Sequence, residues 1–104
     1  MTLPEYRVTG PEAYGAPGIN AGNKYWINVP VGTSVDDIRR ILEKEVQRRT
    51  REKVLMSGKS FTANEITFFV YTKLSDFTKK EKVAGEDIAD LVYEWSRSEG
   101  LKRK

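Results

Sequence analysis

Between Asn64 and Lys73 the chain reads NEITFFVYTK, a run with bulky side chains on both parities. Successive residues of a strand point to opposite faces of its sheet. Ile66, Phe68 and Val70 therefore share one face, while Phe69 and Tyr71 share the other with Glu65, Thr67 and Lys73. Both faces need cover. A chain of 104 residues, only 38% of them hydrophobic, makes one domain with a modest core, so layers to supply that cover are few.

The other periodic segments set the expected architecture. In KYWINVPV, Tyr25, Ile27, Val29 and Val31 alternate with Lys24, Trp26, Asn28 and Pro30, which predicts a strand ending at the proline. GTSVDDIRRILEKEVQRR switches to helical period, with Val35, Ile38, Ile41, Leu42 and Val46 in one stripe. Ser34 is its N-cap, Asp36 and Asp37 suit the first turn, and Arg48 and Arg49 suit the last. VLMSGKSF reads as a second strand broken by Gly58, paired in a hairpin with the opening run through a turn at Thr62 to Asn64. LSDFTKKEKVAGED is a polar connection with a helical turn around Phe77. EDIADLVYEWSRSEGL reads as a second helix, with Ile88, Leu91, Val92 and Trp95 on one face and Gly100 as its stop.

The expectation is an α+β, two-layer sandwich in the order β-α-β-β-α. Two helices lie on one face of a three- or four-stranded, mostly antiparallel sheet. LPEYRVTG can add an N-terminal edge strand through Tyr6 and Val8. Residues 1–23 thus divide into that strand and a mobile arm, GPEAYGAPGINAGN, residues 24–101 form the α+β domain, and residues 102–104 are a basic tail.

With neither cysteine nor histidine, the chain lacks disulfides, thiolate metal sites, thiol nucleophiles and the commonest general base. The expected function is accordingly non-catalytic, without cofactor or metal. No apolar run approaches the roughly 20 residues of a membrane span, and no leader is visible, so a cytoplasmic location is expected. Two helices cover one sheet face and leave Trp26, Phe69 and Tyr71 on the other, beside Lys24 and Lys73. Exposed rings stack on unpaired bases and nearby cations meet phosphates, which points to single-stranded nucleic acid. Arg48, Arg49 and Arg51, with Lys53 close by, add a basic cluster in a chain of net charge +3. The alternative is a protein partner, or a second copy of the chain, on the same sheet face; the N-terminal arm can also cover it.

Two further patterns carry no chemistry. SGKS at Ser57 to Ser60 lacks the first glycine of a phosphate-binding loop, because Lys53 stands there, and a strand follows it rather than a helix. The pairs Asp36 with Asp37 and Asp87 with Asp90 sit where helix capping explains them.

Three family resemblances follow from these residues. The strand order, with rings on its strands, resembles an RNA-recognition-type platform. INVPVGTSVDDIRRIL is similar to the second strand and helix start of β-grasp, ubiquitin-like domains, which bind partners through a sheet face. Over residues 35–101, the order of ILEKEV, ANEITFFVYTKLSDFTKK and EDIADLVYEWSRSEGL resembles the small domain that precedes forkhead-associated domains in bacterial signalling proteins. Asn64, the pair Asp76 and Phe77, and Gly100 match that pattern, and the resemblance implies a scaffolding role without catalytic residues.

Overall fold

The computed structural model describes residues 3–17, 19–74, 77 and 89–104. Along the chain run β1 (Arg7–Tyr14), β2 (Gly22–Asn28), α1 (Val35–Arg49), β3 (Lys53–Met56), β4 (Lys59–Thr62), β5 (Glu65–Tyr71), β6 (Leu91–Ser96) and β7 (Gly100–Arg103). Five strands form one mixed sheet in the order β1-β2-β5-β6-β7, and β3 and β4 form a separate two-stranded ribbon. Among the described residues α1 is the one long helix. The expected pair of helices on a three- or four-stranded sheet is therefore corrected: the sheet is wider, and a strand hairpin replaces the second helix.

α1 forms as its sequence dictates. The Ser34 hydroxyl accepts the Asp37 N–H at 3.1 Å, Asp36 and Asp37 occupy the first turn, and Arg48 and Arg49 the last. Its buried stripe is Ile38, Ile41, Leu42, Glu45 and Val46, so Val35, at 50% exposure, lies off it and a glutamate takes a core position. A helical crossover of this kind lets its two flanking strands run parallel. Accordingly β2 pairs parallel with β5, from Gly22 opposite Glu65 to Asn28 opposite Tyr71. This pairing overturns the expected hairpin of β4 with β5.

The ribbon closes through Ser57 and Gly58, with φ of 52° and 75°. Two left-handed residues in succession make the tight turn that matches strand twist, which is why Gly58 joins two strands rather than interrupting one. β1 also runs further than expected. It pairs antiparallel with β2 up to Tyr14 opposite Gly22, and an irregularity between Thr9 and Glu12 takes up Gly10 and Pro11. Pro11 is tolerated because β1 is an edge strand. Half of the presumed arm is thus sheet.

The stretch expected as the second helix is β6, a turn and β7, from Leu91 onward; Asp87 and Ile88 lie outside the described residues. Leu91, Tyr93 and Trp95 point to the helix side and Val92 and Glu94 away, so the same apolar residues that satisfy a helical stripe also satisfy a strand covered on both faces. Pairing with β5 decides it: Ile66, Phe68 and Val70 stand opposite Trp95, Tyr93 and Leu91. Gly100, at φ 76°, ends the turn into β7. Lys102 and Arg103 belong to that strand, where their charge protects an exposed sheet edge.

α1 packs on Tyr25, Ile27, Val29, Ile66, Phe68, Val70 and Tyr93. A second core of Trp26, Phe69, Tyr71 and Phe77, with Ala89 and Val92 against it, fills the opposite face. β5 is buried from Ile66 to Tyr71, as a central strand covered on both sides must be. The chain leaving β5 is held at both ends: Asp90 accepts from the Thr72 N–H and hydroxyl at 2.7 and 3.0 Å, and Phe77 N–H donates to Lys73 C=O at 3.1 Å. The rest of the helical turn expected around Phe77, with Asp76, lies outside the described residues. Asp90 therefore caps no helix.

Candidate functional site

The sheet separates the residues singled out by the sequence into groups that do not form one surface. Trp26 and Phe69 are 8% exposed and Tyr71 is 0% exposed, so the rings expected as a stacking platform are core. Trp26 stacks on Phe69 at 6.1 Å between centroids, and Phe77 meets Tyr71 edge-on at 5.9 Å. Lys24 stays on this face, half-buried, its ammonium 5.7 Å from the Tyr14 ring centroid and 6.0 Å from that of Phe69. Lys73 is exposed beyond the end of β5. Arg48, Arg49 and Arg51 lie on the helix side of the sheet, away from all of these.

At the C-terminal end of α1 a buried ionic network takes shape around Glu45, which is fully buried. One carboxylate oxygen accepts from Arg49 Nε at 3.0 Å; the other accepts from the Tyr6 hydroxyl at 2.9 Å and from Arg48 at 3.4 Å. Arg49 also reaches Glu52 at 3.3 Å and lies 4.4 Å over the Tyr25 ring, whose hydroxyl donates to Glu52. A charge without water needs partners of this kind. Burial alone would weaken the Arg49 cation, but Glu45 and Tyr25 outweigh it and raise its pKa. The network ties the segment before β1 to the helix, and a groove of about 690 Å³ opens there between Leu3 to Val8 and Lys44 to Arg49.

These contacts have an electrostatic consequence. From residue 44 to residue 62 the chain carries Lys44, Arg48, Arg49, Arg51, Lys53 and Lys59 against Glu45 and Glu52 only, an excess of four cations in a chain of net +3. Glu45 is engaged inward with Arg49 and Tyr6, and Glu52, 40% exposed, is held by Arg49 and Tyr25. Lys44, Arg48, Arg51, Lys53 and Lys59 are all exposed, so the outward field is positive. No family model, curated protein or solved structure matches the chain.

The ribbon stands on the main sheet through Val54 and Met56, which pack with Ala13, Ala21 and Ala63, and Asn23 donates to the Lys53 carbonyl at 3.4 Å. Its other face, formed by the opposed pairs Lys53 with Thr62 and Leu55 with Ser60, is exposed. Arg97 braces the ribbon's base, donating to the carbonyls of Ala63 and Thr50 at 3.0 Å each. Lys44 and Lys59 were not singled out from the sequence. Lys44 was findable, because Lys44, Arg48 and Arg51 recur at the spacing of one helix face; Lys59 joins only through the hairpin.

The tyrosines of these networks make alkaline pH a measurable probe. Burial, then the bond to Glu52, pushes the Tyr25 hydroxyl up to about 12 from its ordinary 10.0. Burial, opposed by Thr67 and reinforced by Glu65, raises Tyr14 likewise to about 12, and Tyr6 is raised by burial and by Glu45. Between about pH 10 and 12 the unfolded chain loses these protons while the folded chain keeps them, so the folded state binds more protons. Their contribution to stability is complete below about pH 10 and is lost as pH rises toward 12. The urea midpoint should fall across that window, and less steeply in Tyr25→Phe. A midpoint that stays level there in the native chain contradicts the account.

Proposed function

We propose that the chain is a non-catalytic nucleic-acid-binding module whose contact surface is the basic ridge of the C-terminal end of α1 and the β3–β4 ribbon. The observation that carries the reading is the exposure of Lys44, Arg48, Arg51, Lys53 and Lys59 at the end of α1 and along the ribbon, where Arg49 holds both nearby acids, Glu45 and Glu52. These side chains would displace the cations condensed on the nucleic acid's phosphates, which makes affinity fall with salt. The sheet face that the sequence offered to bases, to a protein partner or to a second copy is occupied by Phe77, Ala89 and Val92, so the ridge takes its place. Among the described residues no helix is long and apolar enough to cross a membrane.

The test is a titration of labelled nucleic acid at rising salt. Replacing Arg51, Lys53 and Lys59 together by serine should lower the slope of log K against log salt by about three, roughly one per lost phosphate contact, and weaken binding to all sequences alike. Lys73→Ser, remote from the ridge, should leave the slope as it was. An unchanged slope in the triple variant overturns the proposal.

A further inference from the structure

We infer that the ligand is double-stranded DNA and that the outer face of the β3–β4 ribbon, centred on Leu55 and Ser60, lies in its major groove. The inference rests on the nucleic-acid reading above and names the form of nucleic acid. Three observations lead to it.

The first concerns rings. The chain has eleven aromatic residues, all of them described, and none is exposed: seven are buried and Tyr6, Tyr14, Phe61 and Trp95 are half-buried. Proteins that hold single strands stack bases on open rings, and this surface offers none. Affinity must come from phosphates and groove edges.

The second is shape. Two strands about 4.8 Å apart, with their side chains, make a ribbon about 10 Å across. The major groove of B-form DNA is about 12 Å wide and admits a two-stranded ribbon, whereas that of an A-form RNA helix is too narrow for side chains to read. β3 and β4 pair with no strand of the main sheet, and a Cβ added at Gly58 in the turn would meet nothing within 4 Å, so the tip is unobstructed. Arg48 and Arg51, near the ribbon's base, fall where flanking phosphates would pass.

The third is Leu55. It is 72% exposed on the ribbon's outer face, directly opposite Ser60 and one pair nearer the turn than Lys53 and Thr62. Ile19 and Val31 are as exposed, but among the exposed large apolar residues described Leu55 is the one on the ribbon's outer face. In a major groove the C5-methyl of thymine is the apolar group available to it, and the Ser60 and Thr62 hydroxyls can donate to or accept from either base edge.

The experiment compares the full chain and its Leu55→Ala variant on AT-rich duplex DNA containing thymine, on the same duplex with uracil in place of thymine, and on thymine-containing single strands and a duplex RNA of equal length. Leu55 is exposed, so its removal leaves the fold intact. The native chain should bind the thymine duplex about tenfold more tightly than single strands or duplex RNA. It should prefer the thymine duplex to the uracil duplex by about fourfold, the value of one buried methyl. Leu55→Ala should lose that preference while keeping the salt slope. Equal binding to thymine and uracil duplexes, a preference that survives Leu55→Ala, or tighter binding to single strands or to duplex RNA overturns the groove assignment and leaves phosphate binding by the ridge standing. Absence of binding to every probe at low salt overturns the nucleic-acid reading itself.

Discussion

Replacing Arg49 by alanine should cost about 3 to 5 kcal/mol of stability, the range for removing one partner of a buried ion pair. Glu45 has no solvent to turn to, and its side chain is 1% exposed in the pair with Arg49. Arg48 cannot take over, because its side chain is 63% exposed and meets Glu45 at 3.4 Å. The same substitution uncovers the Tyr25 ring and leaves Glu52 its bond from the Tyr25 hydroxyl. A loss of that size is a large part of the 5 to 15 kcal/mol typical of a domain. Equilibrium urea unfolding measures it. Glu45→Gln in the Arg49→Ala background should recover part of the loss, since an amide no longer carries an uncompensated charge. If Arg49→Ala costs under about 1 kcal/mol, the pair behaves as an exposed salt bridge and the network is not the anchor described above.

Phe69→Ala should cost a similar amount, about 3 to 5 kcal/mol, the range for truncating a buried aromatic ring. Phe69 stacks on Trp26 and shares the second core with Tyr71 and Phe77, so its removal leaves a cavity there. Affinity of the folded variant for nucleic acid should be unchanged, because the ridge lies on the helix side of the sheet. The two readouts separate packing from contact. A stable Phe69→Ala variant with lost affinity would restore the ring face as a binding surface and displace the ridge.

How far the sequence reached depends on how local each signal was. Ser34, the aspartates after it and the stripe from Ile38 to Val46 are set by neighbours within a few turns of one helix, and α1 forms where they place it. The double-faced run at Ile66 to Tyr71 correctly announced a strand that needs cover on both sides. The cover itself was not legible. Leu91, Val92 and Trp95 fit a helical stripe, but they also fit a strand covered on both faces, with Leu91 and Trp95 on one and Val92 on the other; what separates the two is a ladder to β5, more than twenty positions away in sequence. Gly100 was ambiguous for the same reason, since a left-handed glycine ends a helix or closes a hairpin. Gly58 misled through its neighbour: Ser57 is not a residue that announces a left-handed turn, yet both adopt it.

The candidate site followed the same rule. Arg48 and Arg51 were visible as a cluster, whereas Arg49 is identical to them in sequence and is spent inward on Glu45. Nothing in the residue pattern distinguishes a cation that faces solvent from one that neutralises a buried acid. That distinction needed the helix to be seated on its sheet.

The parallel pairing of β2 with β5 also bears on the order of assembly. β1 with β2, β3 with β4, and β6 with β7 are near neighbours along the chain and can each zip from their own turns, on the microsecond scale of hairpins. Gly22 reaches Glu65 only after α1 and the ribbon lie between them, and that closure joins the two halves of the molecule. Its entropic cost comes before any packing of α1 against β5 can reward it. The rate-limiting step of folding should therefore be the meeting of two preformed halves, with the central strand that the sequence announced most loudly among the last to find its neighbour.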